Sequence, residues 1–325
     1  TTRRDLDQVV QAIDGLGRFY EWAGNLAGSA AAFSLIGNNP GYLANRELRQ
    51  VQAHALAWAA NYELLSGRTD VAKEQLTRSM AILNDLAAAG TDTRWQKALA
   101  LLHWGHLEQP RNLEAAVRAY GRSSEYYEEM GHRWEAATAR AWLGETEREI
   151  GHIGEAVNLL RRAQAVFEEC GDQHGVAMVL EKIARAYLLD QADLEIALET
   201  AQASLQLRRR SGDRVGIAST LLVLSYVYCW LNQPAAAEPL MEEALAIAQD
   251  LGHRAGECEA YYIATVIYNY LEDREKKAET GARGLALARE LGDVRLMSNF
   301  LRSLGTQALV RGDFEDAHNM HVEAF

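Results

Sequence analysis

Side chains able to do chemistry are plentiful in this chain, but the spacings that mark catalysis are missing. There is no GxxxxGK[ST] or GxGxxG stretch to cradle a phosphate, no G-x-S-x-G nucleophile elbow and no HExxH zinc pair. His103 and His106 stand three apart, as do His318 and His321, which puts two imidazoles on one helix face. A metal site needs at least a third ligand and none lies nearby, so these read as surface or groove histidines. Glu181 and Arg185 are i,i+4 partners that can simply support their own helix. Cys170, Cys229 and Cys258 are odd in number and show no CxxC spacing, which points to a reduced, cytoplasmic setting. The expectation is therefore no catalytic residue, no metal and no cofactor.

The bulk properties narrow the partners. Thirty-three basic against 45 acidic residues give a formal net charge of −12. A general nucleic-acid or anionic-membrane surface would need clustered Lys and Arg, so neither partner is expected. No secretory leader, N-x-[ST] sequon or apolar run of membrane length is present.

The elements that must carry any site are written in a repeat. Gly90, Gly131, Gly171, Gly212, Gly252 and Gly292 recur at steps of 40 or 41 residues. A step of that size marks a helical solenoid. In residues 131–172 one helix runs roughly from Arg133 to Ile150 and a second from Glu155 to Glu169. Ala156, Leu160, Ala163 and Phe167 form a single apolar stripe on the second helix, which only a neighbouring unit can cover. The middle of each first helix carries a small or short residue: Gly17, Ala60, Gly105, Gly144, Ala184, Ser225, Thr265 and Gly305. An apolar residue precedes it every time, and a Tyr follows three residues later at Tyr20, Tyr187, Tyr228 and Tyr268. Small residues at fixed crossings let helices approach closely.

The expected units are roughly 1–36, 45–89, 92–130, 131–170, 171–211, 212–251, 252–291 and 292–325, all in one repeat domain. The first helix should end at Gly24-Asn25, and the stretch Gly37-Asn38-Asn39-Pro40-Gly41 is the strongest break in the chain. The last helix stops at Phe325, and Thr1-Thr2-Arg3-Arg4 does not read as a natural start, so the sequence is expected to be a piece of a longer chain.

Apolar-small, then Tyr, then two Ala on the second helix resembles the tetratricopeptide repeat. The resemblance covers nearly the whole chain and departs from the usual 34-residue unit in length. The usual helix-A Trp is mostly replaced by Ile, Leu or Tyr, and Gly-Asp or Gly-His stands where the late proline would be. This longer variant is similar to the C-terminal sensor of bacterial STAND-class signalling ATPases and transcription activators, and to the peptide-binding arrays of Pins-type spindle-orientation proteins. The resemblance implies an all-α, right-handed α-solenoid of about eight antiparallel helix pairs, with the first helix of each pair lining a concave groove.

By that resemblance, residues three before, one after and four after the small position point into the groove. Glu145, Arg148, Glu181 and Arg185 would form a charged band, Tyr226 and Tyr262 an aromatic one with Trp230 and Tyr270 close by, and Asn269 and Arg302 would follow. Asp14, Arg18 and His106 occupy the same positions in earlier units. Only Asn61 matches the recurring Asn with which Pins-type arrays hold a peptide backbone. The tyrosines have two readings, ligand face or packing between helices. The implied function is a non-catalytic sensor or interaction domain of a larger signalling ATPase or transcription regulator. It would take a protein, peptide or small molecule in the groove, with the NTPase and effector domains elsewhere. The alternative is a free-standing scaffold for peptide segments of client proteins.

Overall fold

The computed structural model describes residues 3–23, 26–39, 41, 46–190 and 193–324. Among these there are sixteen helices and no strand. The odd-numbered helices are the first, or A, helix of each pair: α1 (Arg3–Ala23), α3 (Arg46–Leu65), α5 (Arg94–Glu108), α7 (Arg133–Ile150), α9 (Gln173–Asp190), α11 (Arg214–Trp230), α13 (Arg254–Tyr270) and α15 (Val294–Arg311). The B helices are α2 (Leu26–Gly37), α4 (Thr69–Ala88), α6 (Leu113–Glu129), α8 (Ile153–Glu169), α10 (Leu194–Ser211), α12 (Pro234–Asp250), α14 (Arg274–Leu291) and α16 (Phe314–Glu323). The expected turn at Gly24-Asn25, Pro40 and the expected helix end at Phe325 lie outside the described residues.

The chain forms two compact units, Thr1–Cys170 and Gly171–Phe325. Within each, A packs on its own B and B packs on the next A, as in α5–α6–α7 and α11–α12–α13. Successive A helices also touch, α3 with α5 in the first unit and α9 with α11 with α13 in the second. The first pair departs from this pattern, since α1 packs more on α3 than on α2, and α2 packs on α3.

The Gly-Asp turn works in two parts. Gly171, Gly212 and Gly292 adopt φ of 70, 72 and 68°, the left-handed geometry that closes a helix and that a Cβ disfavours. The next residue starts the following helix: Asp172, Asp213 and Asp293 accept the backbone N–H three residues on, each at 2.9 Å. Two A-to-B turns place Asn232 (φ 58°) and Glu272 (φ 59°) in the same conformation without a glycine.

The expected stripe on α8 is buried in full, Ala156, Leu160 and Ala163 completely and Phe167 almost so. The small A-helix positions are where B side chains cross. A Cβ on Gly144 would stand 2.9 Å from Leu160 Cγ and 3.1 Å from the Ala156 carbonyl oxygen. One on Gly105 would enter the ring of Tyr120. Serines on B helices lock the crossing by donating to an A-helix carbonyl: Ser79 to Ala53, Ser123 to Ala98 and Ser204 to Ala177, each at 2.7 Å. An exposed ladder repeats beside them. Arginines eleven residues before the small position reach acids at the end of the same pair, Arg133 to Glu169 at 2.5 Å, Arg214 to Asp250 at 2.6 Å, and Arg254 to Glu290. Each such pair contributes at most about 1 kcal/mol.

Gly144→Leu is expected to cost about 1–3 kcal/mol through overpacking against Leu160; an unchanged urea midpoint would show that the crossing tolerates bulk. Glu272→Gly relieves a left-handed non-glycine residue but gives the unfolded chain more freedom, so a net gain of about 0.5–1 kcal/mol is expected in the same assay.

Candidate binding groove

The polar centre of the second unit is Glu181 on α9. Its carboxylate accepts from Arg185 Nε at 3.1 Å and Ser219 Oγ at 2.7 Å on one oxygen. The other takes Arg208 at 2.9 Å and Thr220 Oγ1 at 3.1 Å. Burial pushes this carboxyl's pKa up, but Arg185, Arg208 and the Ser219 hydroxyl outweigh it and hold it below the ordinary range. Glu181 is therefore an ionised, saturated anchor. From it Arg185 extends outward, donating to Glu259 of α13 at 3.1 Å and to Ser219 of α11 at 3.2 Å. One guanidinium thus ties together three successive A helices, and all of its donor nitrogens are engaged in the process.

The aromatic part lies on the same A helices. Tyr226 of α11 is part-exposed and meets Trp230 edge-on at 6.2 Å. Burial, then the neighbouring Tyr262, pushes its hydroxyl up to about 12, so it stays a hydrogen-bond donor at neutral pH. Tyr262 of α13 is also part-exposed and stands edge-on to Phe300 of α15 at 5.9 Å. Each ring is half packing and half surface, so the two readings of the tyrosines are not exclusive. Asn269 and Arg302 are engaged elsewhere. The Asn269 side-chain oxygen accepts from the buried ammonium of Lys277 at 2.8 Å, and Arg302 donates to Asn299 on its own helix at 2.8 Å.

In the first unit Glu145 and Arg148 form a pair on α7 at 2.7 Å, with Glu149 at 3.5 Å from the same guanidinium. The larger construction there centres on Asp14 of α1. Trp58 Nε1–H donates to Asp14 Oδ1 at 2.8 Å, Trp95 Nε1–H to Oδ2 at 3.2 Å, and His54 Nε2 lies 2.6 Å from Oδ1. The Tyr62 hydroxyl donates to the carbonyl of Gly17. One turn on, Arg18 pairs with Glu135 at 2.9 Å and lies over the Trp134 ring at 4.4 Å. Asp14 and Arg18 are at expected inward positions, and the structure turns both onto α3, α5 and α7.

The sequence reading missed this centre, although the clustering of Trp58, Trp95, Trp134 and Trp142 on A helices was a visible signal. Behind it runs a row of rings, Phe33–Tyr62 at 5.8 Å, Trp58–His103 at 5.2 Å, His103–His106 at 5.7 Å and His106–Trp142 at 4.9 Å. The reading of His103 as a surface or groove residue is corrected. It is buried in that row, and burial, then His106 and His54, drives its pKa well below the ordinary value, leaving a neutral ring. Among the described residues no group of three His, Cys, Asp or Glu side chains can hold a metal, and no helix is long and apolar enough to cross a membrane.

Residues 175–250 match the family model of the tetratricopeptide repeat. No curated protein matches the sequence. Among solved structures, a Rap protein complexed with competence and sporulation factor is similar with a TM-score of 0.74 at 17% identity, over 98% of this chain and 85% of that one. The Rap conjugation gene regulator of plasmid pLS20, in complex with the Phr* peptide, is similar with a TM-score of 0.66 at 15% identity, over 89% and 77% of the two chains. A STAND protein with a tetratricopeptide repeat sensor from Pyrococcus horikoshii is similar with a TM-score of 0.55 at 15% identity; 85% of this chain matches 45% of that one. The chain is thus an all-α array of tetratricopeptide-like helix pairs, which is a protein-interaction fold. It resembles both the Rap proteins and the sensor-bearing STAND protein in that fold.

The Asp14 centre gives a pH prediction. Burial raises its pKa, but His54, the Trp58 N–H and Arg18 outweigh that and hold it below the ordinary value of 3.8. A depressed carboxylate contributes stability that is present above the unfolded pKa and lost as pH falls through the folded one. Hydrogen-exchange protection of α1 is expected to hold at pH 5 and to fall below about pH 4. Asp14→Asn should already have lost that protection at pH 5. Equal protection of α1 in wild type at both pH values would refute the assignment.

Proposed function

We propose that the chain is a non-catalytic, cytoplasmic sensor module that binds a peptide segment of a partner along the A-helix face of its second unit, and that its repeats act as one domain. The observation that carries this reading is the row of part-exposed groups on α9, α11 and α13. Around the bridge that Arg185 makes to Ser219 and Glu259, Glu259, Tyr226 and Tyr262 offer a carboxylate, hydroxyls and flat apolar faces over adjacent helices. The buried Glu181 fixes Arg185 beforehand, so little ordering cost remains when a ligand arrives. An extended peptide presents alternating N–H and C=O groups, and this mixture of partners suits it. The Phr* peptide complex of a similar Rap regulator supports the same ligand class. Asn269 and Arg302 of the same unit would border the site rather than form its centre.

In this reading the module serves a larger signalling ATPase or transcription regulator whose NTPase and effector domains lie elsewhere. The net charge of −12 supports protein rather than nucleic-acid or membrane partners. A free-standing peptide-responsive array is the second reading. It is supported by the similar Rap regulator, which is complexed with the Phr* peptide.

The test is a peptide array probed with the full chain, followed by fluorescence anisotropy of the best binder. Tyr262→Ala and Glu259→Gln are expected to weaken binding by about tenfold or more, the size of one interface hot spot, with little change in melting for Glu259→Gln. Retention of no peptide at all, or undiminished affinity in both variants, would overturn the assignment.

A further inference from the structure

Helix α1 sits in the first unit in a way the repeat does not require. In the other A helices the residue before the small position is wholly or partly buried, Ala59 and Ile183 completely. On α1 that residue, Leu16, is 38% exposed, and Val9 and Phe19 on the same side are exposed too. The opposite side, Val10, Ile13, Asp14 and Gly17, is buried. Val10 and Ile13 are buried in an apolar cluster with Ala30 and Phe33 of α2 and with α3, and to this is added a set of side-chain bonds from helices that are not its partner. His54, Trp58 and Tyr62 come from α3, Trp95 from α5, and Trp134 and Glu135 from α7.

We propose that this A-helix face of the first unit is a docking site for an amphipathic helix bearing a carboxylate and, one turn later, a guanidinium, and that α1 is the exchangeable occupant it holds at rest. Each receptor group reads one feature of the occupant. Two indole N–H groups and an imidazole converge on the carboxylate, more polar partners than a solvated Asp on a repeat helix needs. The Trp134 ring and the Glu135 carboxylate receive the guanidinium, one by its face and the other by charge. The Trp58 ring admits the helix only because residue 17 is glycine, since a Cβ there would penetrate the indole. The fitting partner is thus a protein helix with apolar residues at the places of Val10 and Ile13, Asp at that of Asp14, a small residue at that of Gly17 and Arg at that of Arg18. This inference stands apart from the peptide site of the second unit and does not depend on it.

A fluorescein-labelled synthetic peptide of residues 3–23 is the probe, titrated into the full chain as wild type, Asp14→Asn and Arg18→Ala. In wild type the tethered α1 competes at an effective concentration of roughly millimolar, so the peptide binds weakly. Loosening the tethered helix frees the face, and both variants are expected to bind the wild-type peptide about tenfold more tightly, the loss of one charged hydrogen bond. A peptide carrying Asp14→Asn should bind none of the three chains. Hydrogen exchange should quicken in residues 3–23 of the variants and stay unchanged in α3 to α6. No gain in peptide affinity in either variant, or equal binding of the altered peptide, overturns the proposal. So does a loss of protection that spreads through α3 to α6 in both variants, because α1 would then be part of the unit's fold and not an occupant.

Discussion

Two helices can bring their backbones close only where one of them presents almost no side chain, and every pair after the first is arranged around such a point. Gly105 receives the Tyr120 ring and Gly144 receives Leu160. Where the residue is larger it is put to use, as in Ser225, whose hydroxyl donates to the Ala237 carbonyl at 3.2 Å. The crossing fixes the B helix against its A helix, and the B-helix serines then reach the A-helix carbonyls. The next A helix stacks on that surface. The faces on which Arg185, Ser219 and Glu259 meet exist because these crossings repeat at a constant height along the helices.

That regularity is also what made the fold legible. Turns, caps and apolar stripes are local in sequence, and a period near 40 residues repeats each of them until chance is excluded. The exposed Arg–acid ladder has the same period, yet it went unread, because charges on a solvated face carry no expectation of partnership. The position of α1 could not be read at all. Gly17, Leu16 and Tyr20 satisfy the repeat pattern as well as any other A helix. The contacts of Arg18 with Glu135, 117 residues away, and of Asp14 with Trp95, 81 away, show that the helix is placed differently.

Residue types at the second unit's site were legible, but their roles were not. Inward spacing picked out Glu181, Arg185, Tyr226 and Tyr262 without showing how the first two divide their work. Glu181 is buried and Arg185 is only partly so, and Ser219, Thr220, Arg208 and Glu259 complete the network from four other positions. A periodic pattern can say which side of a helix a residue faces. It cannot say which partners will converge there, because those depend on how far each helix is rotated and raised against the next.

Two of the buried carboxylates, Asp14 and Glu181, show how one chemistry serves two ends. Each is held ionised against burial by several donors, and stripping such a group of a partner costs about 3–5 kcal/mol. The donors to Glu181 come from its own helix and from α10 and α11, which already pack against one another as successive repeat elements. Its bonds therefore reinforce contacts that the apolar stripes would make anyway. The donors to Asp14 come from α3 and α5, and its neighbour Arg18 is held by α7. Those bonds add to the burial of Val10 and Ile13 against α2 and α3 in tying α1 down. A carboxylate in the first arrangement consolidates a surface, and in the second it fastens a helix to one. The strength of the fastening then depends on a few polar groups, which a competing helix of the same chemistry can match.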